Sequence, residues 1–116
     1  MTTRTGQELS QEAMTNVPSI SCEEYKKLRA DGTPHVFLDV REQDEWDAGH
    51  VEGAVHIPRG FLEFKIEAAV PDKAVKIILC CAKGARAALA GETLQKMGYT
   101  DVEFLKGGYT EYCEGD

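Results

Sequence analysis

Four short apolar runs constrain the fold of this chain more than any other feature. Residues 35–40 (HVFLDV), 53–58 (GAVHIP), 74–80 (AVKIILC) and 101–107 (DVEFLKG) are all of strand length. They are rich in Val, Ile, Leu and Phe, as strands covered on both faces are. Residues 74–80 are the most hydrophobic and are expected to form the central strand. A further short strand opens residues 18–32 (PSISCEEYKKLRADG), which then turn helical: Ser21 and Glu24 stand at capping-box spacing and Gly32 ends the helix. Residues 41–50 (REQDEWDAGH) read as a short acidic helix ending at Gly49. Residues 60–70 place Phe61, Leu62, Ile66 and Ala69 at helical spacing and stop before Pro71. Residues 85–98 put Leu89, Leu94 and Met97 on or near one helical face, with Gly98 as the stop. The tail, 108–116, is a short helix or turn. Strands alternating with helices in a single small chain predict an α/β fold, a mostly parallel five-stranded sheet flanked by helices.

The 116 residues suffice for one domain and are too few for two ordinary ones, and 42% hydrophobic content can supply a core. Residues 1–17 are polar and aperiodic, which predicts a flexible N-terminal arm before a folded domain over 18–116. The net charge of −7 argues against nucleic acid as a partner. No apolar run approaches the roughly 18 residues that suggest a membrane span. The N-terminus lacks the apolar core of a secretory signal, so a cytoplasmic location is expected.

The chemistry points to the end of the central strand. Of the four cysteines, Cys80 and Cys81 are adjacent there, while Cys22 and Cys113 lie in the first helix and the tail. Neither the cysteines nor the scattered His35, His50 and His56 have metal-ligand spacing, so no metal site is expected. In parallel α/β sheets ligands bind beyond the carboxyl ends of the strands. A helix N-terminus after the cysteines offers unpaired N–H groups and roughly half a positive charge, a cradle for an anion and for a thiolate. Gly84 lets the loop curl. Two registers are open. Cys80 and Arg86 have the Cys-x5-Arg spacing of cysteine phosphatases and arsenate reductases; from Cys81 the loop is one residue shorter.

Four blocks in order carry a resemblance: FLDVREQDEW (37–46), GHVEGAVHIP (49–58), CAKGAR (81–86) and LKGGYTEY (105–112). Together they make the chain similar to single-domain members of the rhodanese family of sulfurtransferases. The resemblance implies Cys81 as nucleophile, a persulfide on that residue, and a cradle formed by Ala82, Lys83, Gly84, Ala85 and Arg86. It implies a thiosulfate-like donor, a cyanide, thiol or protein acceptor, and no cofactor. Lys83 is expected to attract the donor's sulfonate, with Arg59 on the opposite wall. Arg86 is expected to pin the loop through a carboxylate. Asp39 and Arg41 are expected as structural support, and His50 and His56 as scaffold. Cys80 is expected in or beside the core, with a resolving thiol as its other role. Phe61, Leu62 and Phe64 are expected in the core or at a pocket rim, Trp46 is expected to tuck inward, and the acidic run around it is read as a solvated face. A docking module without catalysis is the third reading.

Overall fold

The side chains of Ile77, Ile78, Leu79 and Cys80 are completely buried, and they form the middle strand of the sheet. In the computed structural model, which describes residues 3–114, the elements run α1 (Gly6–Asn16), β1 (Ser19–Ile20), α2 (Cys22–Ala30), β2 (Val36–Asp39), α3 (Gln43–Ala48) and β3 (Val55–His56). A 3-10 turn (Arg59–Phe61) leads into α4 (Leu62–Ala69), then β4 (Ile77–Cys80), α5 (Ala85–Lys96), β5 (Val102–Leu105) and α6 (Gly108–Glu114). The five strands are ordered β1-β5-β4-β2-β3 and every pairing is parallel. The α/β fold with its parallel five-stranded sheet is the one the apolar runs predict.

Alternation along the strands sorts the core into two layers. Ile77 and Leu79 join Leu38, Val40 and Phe104 on the face covered by α1, α4 and α5. Ile78 joins Phe37, Leu105 and Tyr25 on the opposite face, under α2 and α6. The alternation continues past the strand end. Cys80 packs with the second group and Cys81 with the first, so two adjacent thiols stand on opposite sides of one sheet.

The N-terminal segment corrects one expectation. Within the expected arm, residues 6–16 form α1, opened by a capping box in which Thr5 and Glu8 exchange hydrogen bonds. Ala13 and Val17 are buried against α5, and a Cβ placed on Gly91 would lie 2.8 Å from a Val17 methyl. Asn16 also donates to Glu92 at 3.1 Å. Only two buried positions make too sparse a stripe to register as periodicity. The Thr5–Glu8 spacing was the readable sign.

The aromatic cluster after Pro58 divides. Leu62 is fully buried, whereas Phe61 is half exposed and Phe64 is 85% exposed, so Phe64 belongs to neither core nor rim. Phe61 instead carries the Lys65 ammonium over its ring. Among the described residues, no helix is long and apolar enough to cross a membrane.

Candidate active site

Val40 N–H donates to the Cys80 carbonyl at 2.9 Å, and after that bond the backbone leaves the sheet. Cys81, Ala82 and Lys83 turn toward α5, and Gly84 precedes its first residue with φ +117°, a region that side chains rarely adopt. The turn brings the start of α5 back over Cys81. Gly84 N–H donates to the Cys81 Sγ at 3.0 Å and Ala87 N–H donates to it at 3.3 Å. These donors are unpaired in any helix start, and here a sulfur takes them. Among the described residues, the N–H groups of Ala82, Lys83, Ala85 and Arg86 have no acceptor.

Cys80 has the opposite surroundings. Its S–H points to the Cys81 carbonyl at 3.3 Å. Burial, and then the Asp39 carboxylate, push its thiol far above the ordinary range. The thiol therefore stays protonated and weakly nucleophilic.

Two arginine–carboxylate pairs brace the loop. Asp39 is wholly buried at the end of β2 and takes Arg41 in a forked contact, Nη2 at 2.7 Å and Nε at 3.0 Å. Burial is the largest influence and works against the Arg41 charge, but the hydrogen bonds to Asp39 together with the negative charge of Asp39 and its other acidic neighbours outweigh it, so the guanidinium holds its proton more tightly than usual. Arg41 also donates to the Gly49 carbonyl at 2.8 Å, and the His56 Nε2–H donates to the Arg41 carbonyl at 2.8 Å.

The second pair is Arg86 with Glu45, a bidentate contact at 2.7 and 3.0 Å. Those hydrogen bonds lower the Glu45 carboxyl to about 2, against an ordinary 4.5. The Arg86 side chain is thus turned to α3 and away from the Cys81 sulfur. The acidic run of α3 reads in sequence as a solvated face; Glu45 departs from that reading because it pairs with Arg86 at the start of α5. Its partner on α3, Trp46, is sandwiched between the rings of His50 at 3.5 Å and His56 at 4.6 Å.

Lys83 is exposed on the crest of the loop. Arg59 is elsewhere. It donates to Glu63 and to the Thr93 hydroxyl, each at 3.0 Å. Thr93 stands nine residues beyond Gly84 along α5, or roughly 13 Å at helical rise. Arg59 therefore does not form the wall opposite the loop. The Cys22 Sγ faces the carbonyls of Lys106 and Gly108 in the second core layer, and Cys113 is exposed.

One contributor lay outside the predicted set. The start of α6 donates to the loop from outside, Tyr109 N–H to the Cys81 carbonyl at 2.8 Å and Thr110 N–H to the Ala82 carbonyl at 3.1 Å. The paired glycines of block 105–112 were the visible sign of a backbone-to-backbone approach there.

The chain resembles known proteins over this same framework. It is 36% identical over 100 residues to the putative sulfur carrier protein YrkF of Bacillus subtilis, covering 85% of this chain and 52% of that one. It therefore spans about half the length of that relative. It is 39% identical over 71 residues to the thiosulfate sulfurtransferase PspE of Escherichia coli, covering 61% of this chain and 68% of that one. A Rhodopseudomonas palustris protein of unknown function, RPA3614, described as a possible tyrosine phosphatase, superimposes with a TM-score of 0.90 at 27% identity over 99% of this chain and 93% of its own. The sequence profile of the rhodanese-like domain matches residues 21–114. That match takes in the Asp39–Arg41 pair, the Cys81 loop and the α6 tail together, and the chain belongs to the rhodanese-like domain family.

Proposed function

We propose that this protein moves sulfane sulfur through a persulfide on Cys81. The observation that carries the reading is the pair of N–H donors from Gly84 and Ala87 on the Cys81 Sγ. Hydrogen bonds to the charged form of a thiol favour that form. A thiolate at Cys81 attacks the outer sulfur of thiosulfate or of a persulfide donor. With thiosulfate, the sulfur–sulfur bond of the donor breaks, sulfite leaves with the bonding electrons, and Cys81 becomes a persulfide anion. A thiol, a protein thiol or cyanide then attacks the outer sulfur and takes it away as persulfide or thiocyanate, restoring the thiolate. Charge and atoms balance in both halves, and the order is ping-pong. The free N–H groups of Ala82, Lys83, Ala85 and Arg86 stabilise the outer sulfur. Lys83 supplies the cation that draws in the donor's sulfonate against the chain's acidic balance. The chemistry requires a reduced thiol, which suits a reducing compartment such as the cytoplasm.

The description of RPA3614 raises phosphate-ester hydrolysis as the rival. That chemistry asks for an Arg side chain folded over the oxyanion and for a reactive thiol in the longer register. Here Arg86 is bound to Glu45, and Cys80 is buried with its thiol pushed up. Intact-protein mass spectrometry after thiosulfate treatment tests the proposal. Addition of one sulfur atom, removable by cyanide and mapped to the peptide holding Cys81, is the expected result. Hydrolysis of aryl phosphates without sulfur uptake overturns it, and the absence of both activities leaves the docking-module reading.

A further inference from the structure

The loop's carbonyls and its N–H groups are not independent. A peptide unit is planar and trans, so its N–H points opposite to its C=O. The Cys81 carbonyl shares a unit with the Ala82 N–H, and the Ala82 carbonyl with the Lys83 N–H. Both carbonyls are turned onto the start of α6, where Tyr109 and Thr110 donate to them. The N–H groups of Ala82 and Lys83 must then point away from α6. The approach is very tight. A Cβ on Gly108 would lie 2.4 Å from the Ala82 oxygen and 2.5 Å from the Cys81 oxygen, and its φ of +63° already favours glycine. The Tyr109 ring lies 4.3 Å over the Arg41 guanidinium, which ties α6 to the buried Asp39–Arg41 pair.

We propose that the start of α6, Gly108 to Thr110, is a positioning element for the Cys81 sulfur. It takes two carbonyl oxygens that would otherwise be able to face the thiolate. It thereby turns the Ala82 and Lys83 N–H groups into the cradle, beside the two donors that α5 provides. The proposal rests on the reading of Cys81 as the sulfur carrier and assigns the tail a task in it. Gly108 acts by having no side chain, and Tyr109 and Thr110 act through their backbone N–H groups. The charged and titratable groups around the sulfur are Arg86 on α5, Lys83 in the loop, and Cys80 on β4 with Asp39 and Arg41 behind it. On α6 itself, the Glu111 carboxylate lies against Gly107. The variants below leave all of these in place.

The test measures the rate of Cys81 alkylation by iodoacetamide against pH in the full chain. Peptide mapping counts the exposed Cys113 separately. Thr110→Pro removes the donor to the Ala82 carbonyl and sets the proline ring against that oxygen within the first turn of α6. Gly108→Ala drives a methyl group into both carbonyls. In each, the thiolate midpoint of Cys81 should rise, because the Ala82 and Lys83 N–H dipoles are no longer held away from α6 and toward the sulfur. Turnover with thiosulfate should fall with it, while the Michaelis constant changes less. Tyr112→Ala is the control. It strips a ring packed against the α2 layer and keeps every N–H donor, so it should lower the melting temperature and leave the midpoint alone. The proposal is overturned if folded Thr110→Pro keeps the wild-type midpoint, or if Tyr112→Ala moves it as far. Should Gly108→Ala fail to fold, Thr110→Pro decides. If the wild-type chain takes up no sulfur from thiosulfate, the transfer reading fails by itself, and the alkylation midpoints still judge the α6 brace.

Discussion

Cys80 and Cys81 are one peptide bond apart and chemically unlike. Both are almost fully buried, at 0% and 1% exposure, so solvent access alone does not separate them. Their partners do. Burial pushes the Cys80 thiol up most, the Asp39 carboxylate adds to it, and the S–H faces a carbonyl oxygen. Cys81 instead takes two N–H groups at a helix start. The sheet's two-residue alternation places them on opposite faces, and the two faces offer opposite electrostatics. In the proposed transfer, reactivity follows from which backbone groups converge on a sulfur more than from the cysteine's access to solvent.

The most direct way to break this comparison is to remove each sulfur in turn. Cys81→Ser should cut thiosulfate:cyanide turnover by at least about a thousandfold, since the hydroxyl cannot replace the thiolate in covalent sulfur transfer. Cys80→Ser should keep most of the activity, because its hydroxyl can still donate to the Cys81 carbonyl. Steady-state rates decide, and an inactive but folded Cys80→Ser protein would reverse the assignment.

Asp39→Asn sharpens the account of the Cys80 side. Removing the carboxylate leaves Arg41 buried without its counter-charge, which should destabilise the fold by about 3 kcal/mol in a urea titration. The Cys80 thiol should nevertheless stay unreactive to alkylating agents in the folded protein. Burial, the larger cause of its raised value, is untouched.

Glu45→Gln acts on the Cys81 side and should cost about 1 kcal/mol, because the Arg86 pair is only partly shielded from water. Its pH dependence has a definite sign. Glu45 titrates lower in the folded protein, about 2 against an ordinary 4.5, so its contribution is complete above 4.5 and is lost as the pH falls toward 2. The stability difference between wild type and Glu45→Gln should therefore be constant at neutral pH, shrink below 4.5 and close near 2. Denaturant titrations at a series of pH values measure it.

The smallest effect is expected from Lys83→Ala. The side chain is exposed, so its attraction for a donor anion is screened. The Michaelis constant for thiosulfate should rise by roughly two- to fivefold with little change in turnover, the pattern of lost ground-state binding. A larger rise at low ionic strength than at high would confirm a charge effect.

Much of this was legible from residue order. The run AVKIILC could only be a strand covered on both faces, and the small-residue helix after CAKGAR required a turn at Gly84. Those features alone place a cysteine at a helix start. Contacts between distant elements were not legible. Nothing local pairs Glu45 with Arg86, which are 41 positions apart. Arg59 stood next to the strand end in sequence, yet its guanidinium reaches Glu63 and Thr93.

The amino-acid order by itself determined the element types from residue 18 onward, the parallel sheet and a pair of candidate cysteines, between which the family resemblance favoured Cys81. Periodicity, caps and glycine positions are local properties, set by neighbours within one turn or one strand. Only the tertiary structure decided which oxygens and N–H groups surround each thiol. The N–H groups on Cys81 and the oxygen facing Cys80 are near in sequence, but their directions depend on how α5 and α6 pack onto the sheet, and the Asp39 carboxylate comes from β2. It also decided that residues 6–16 are a helix rather than an arm, since the burial of Ala13 and Val17 exists only once α5 is there to receive them.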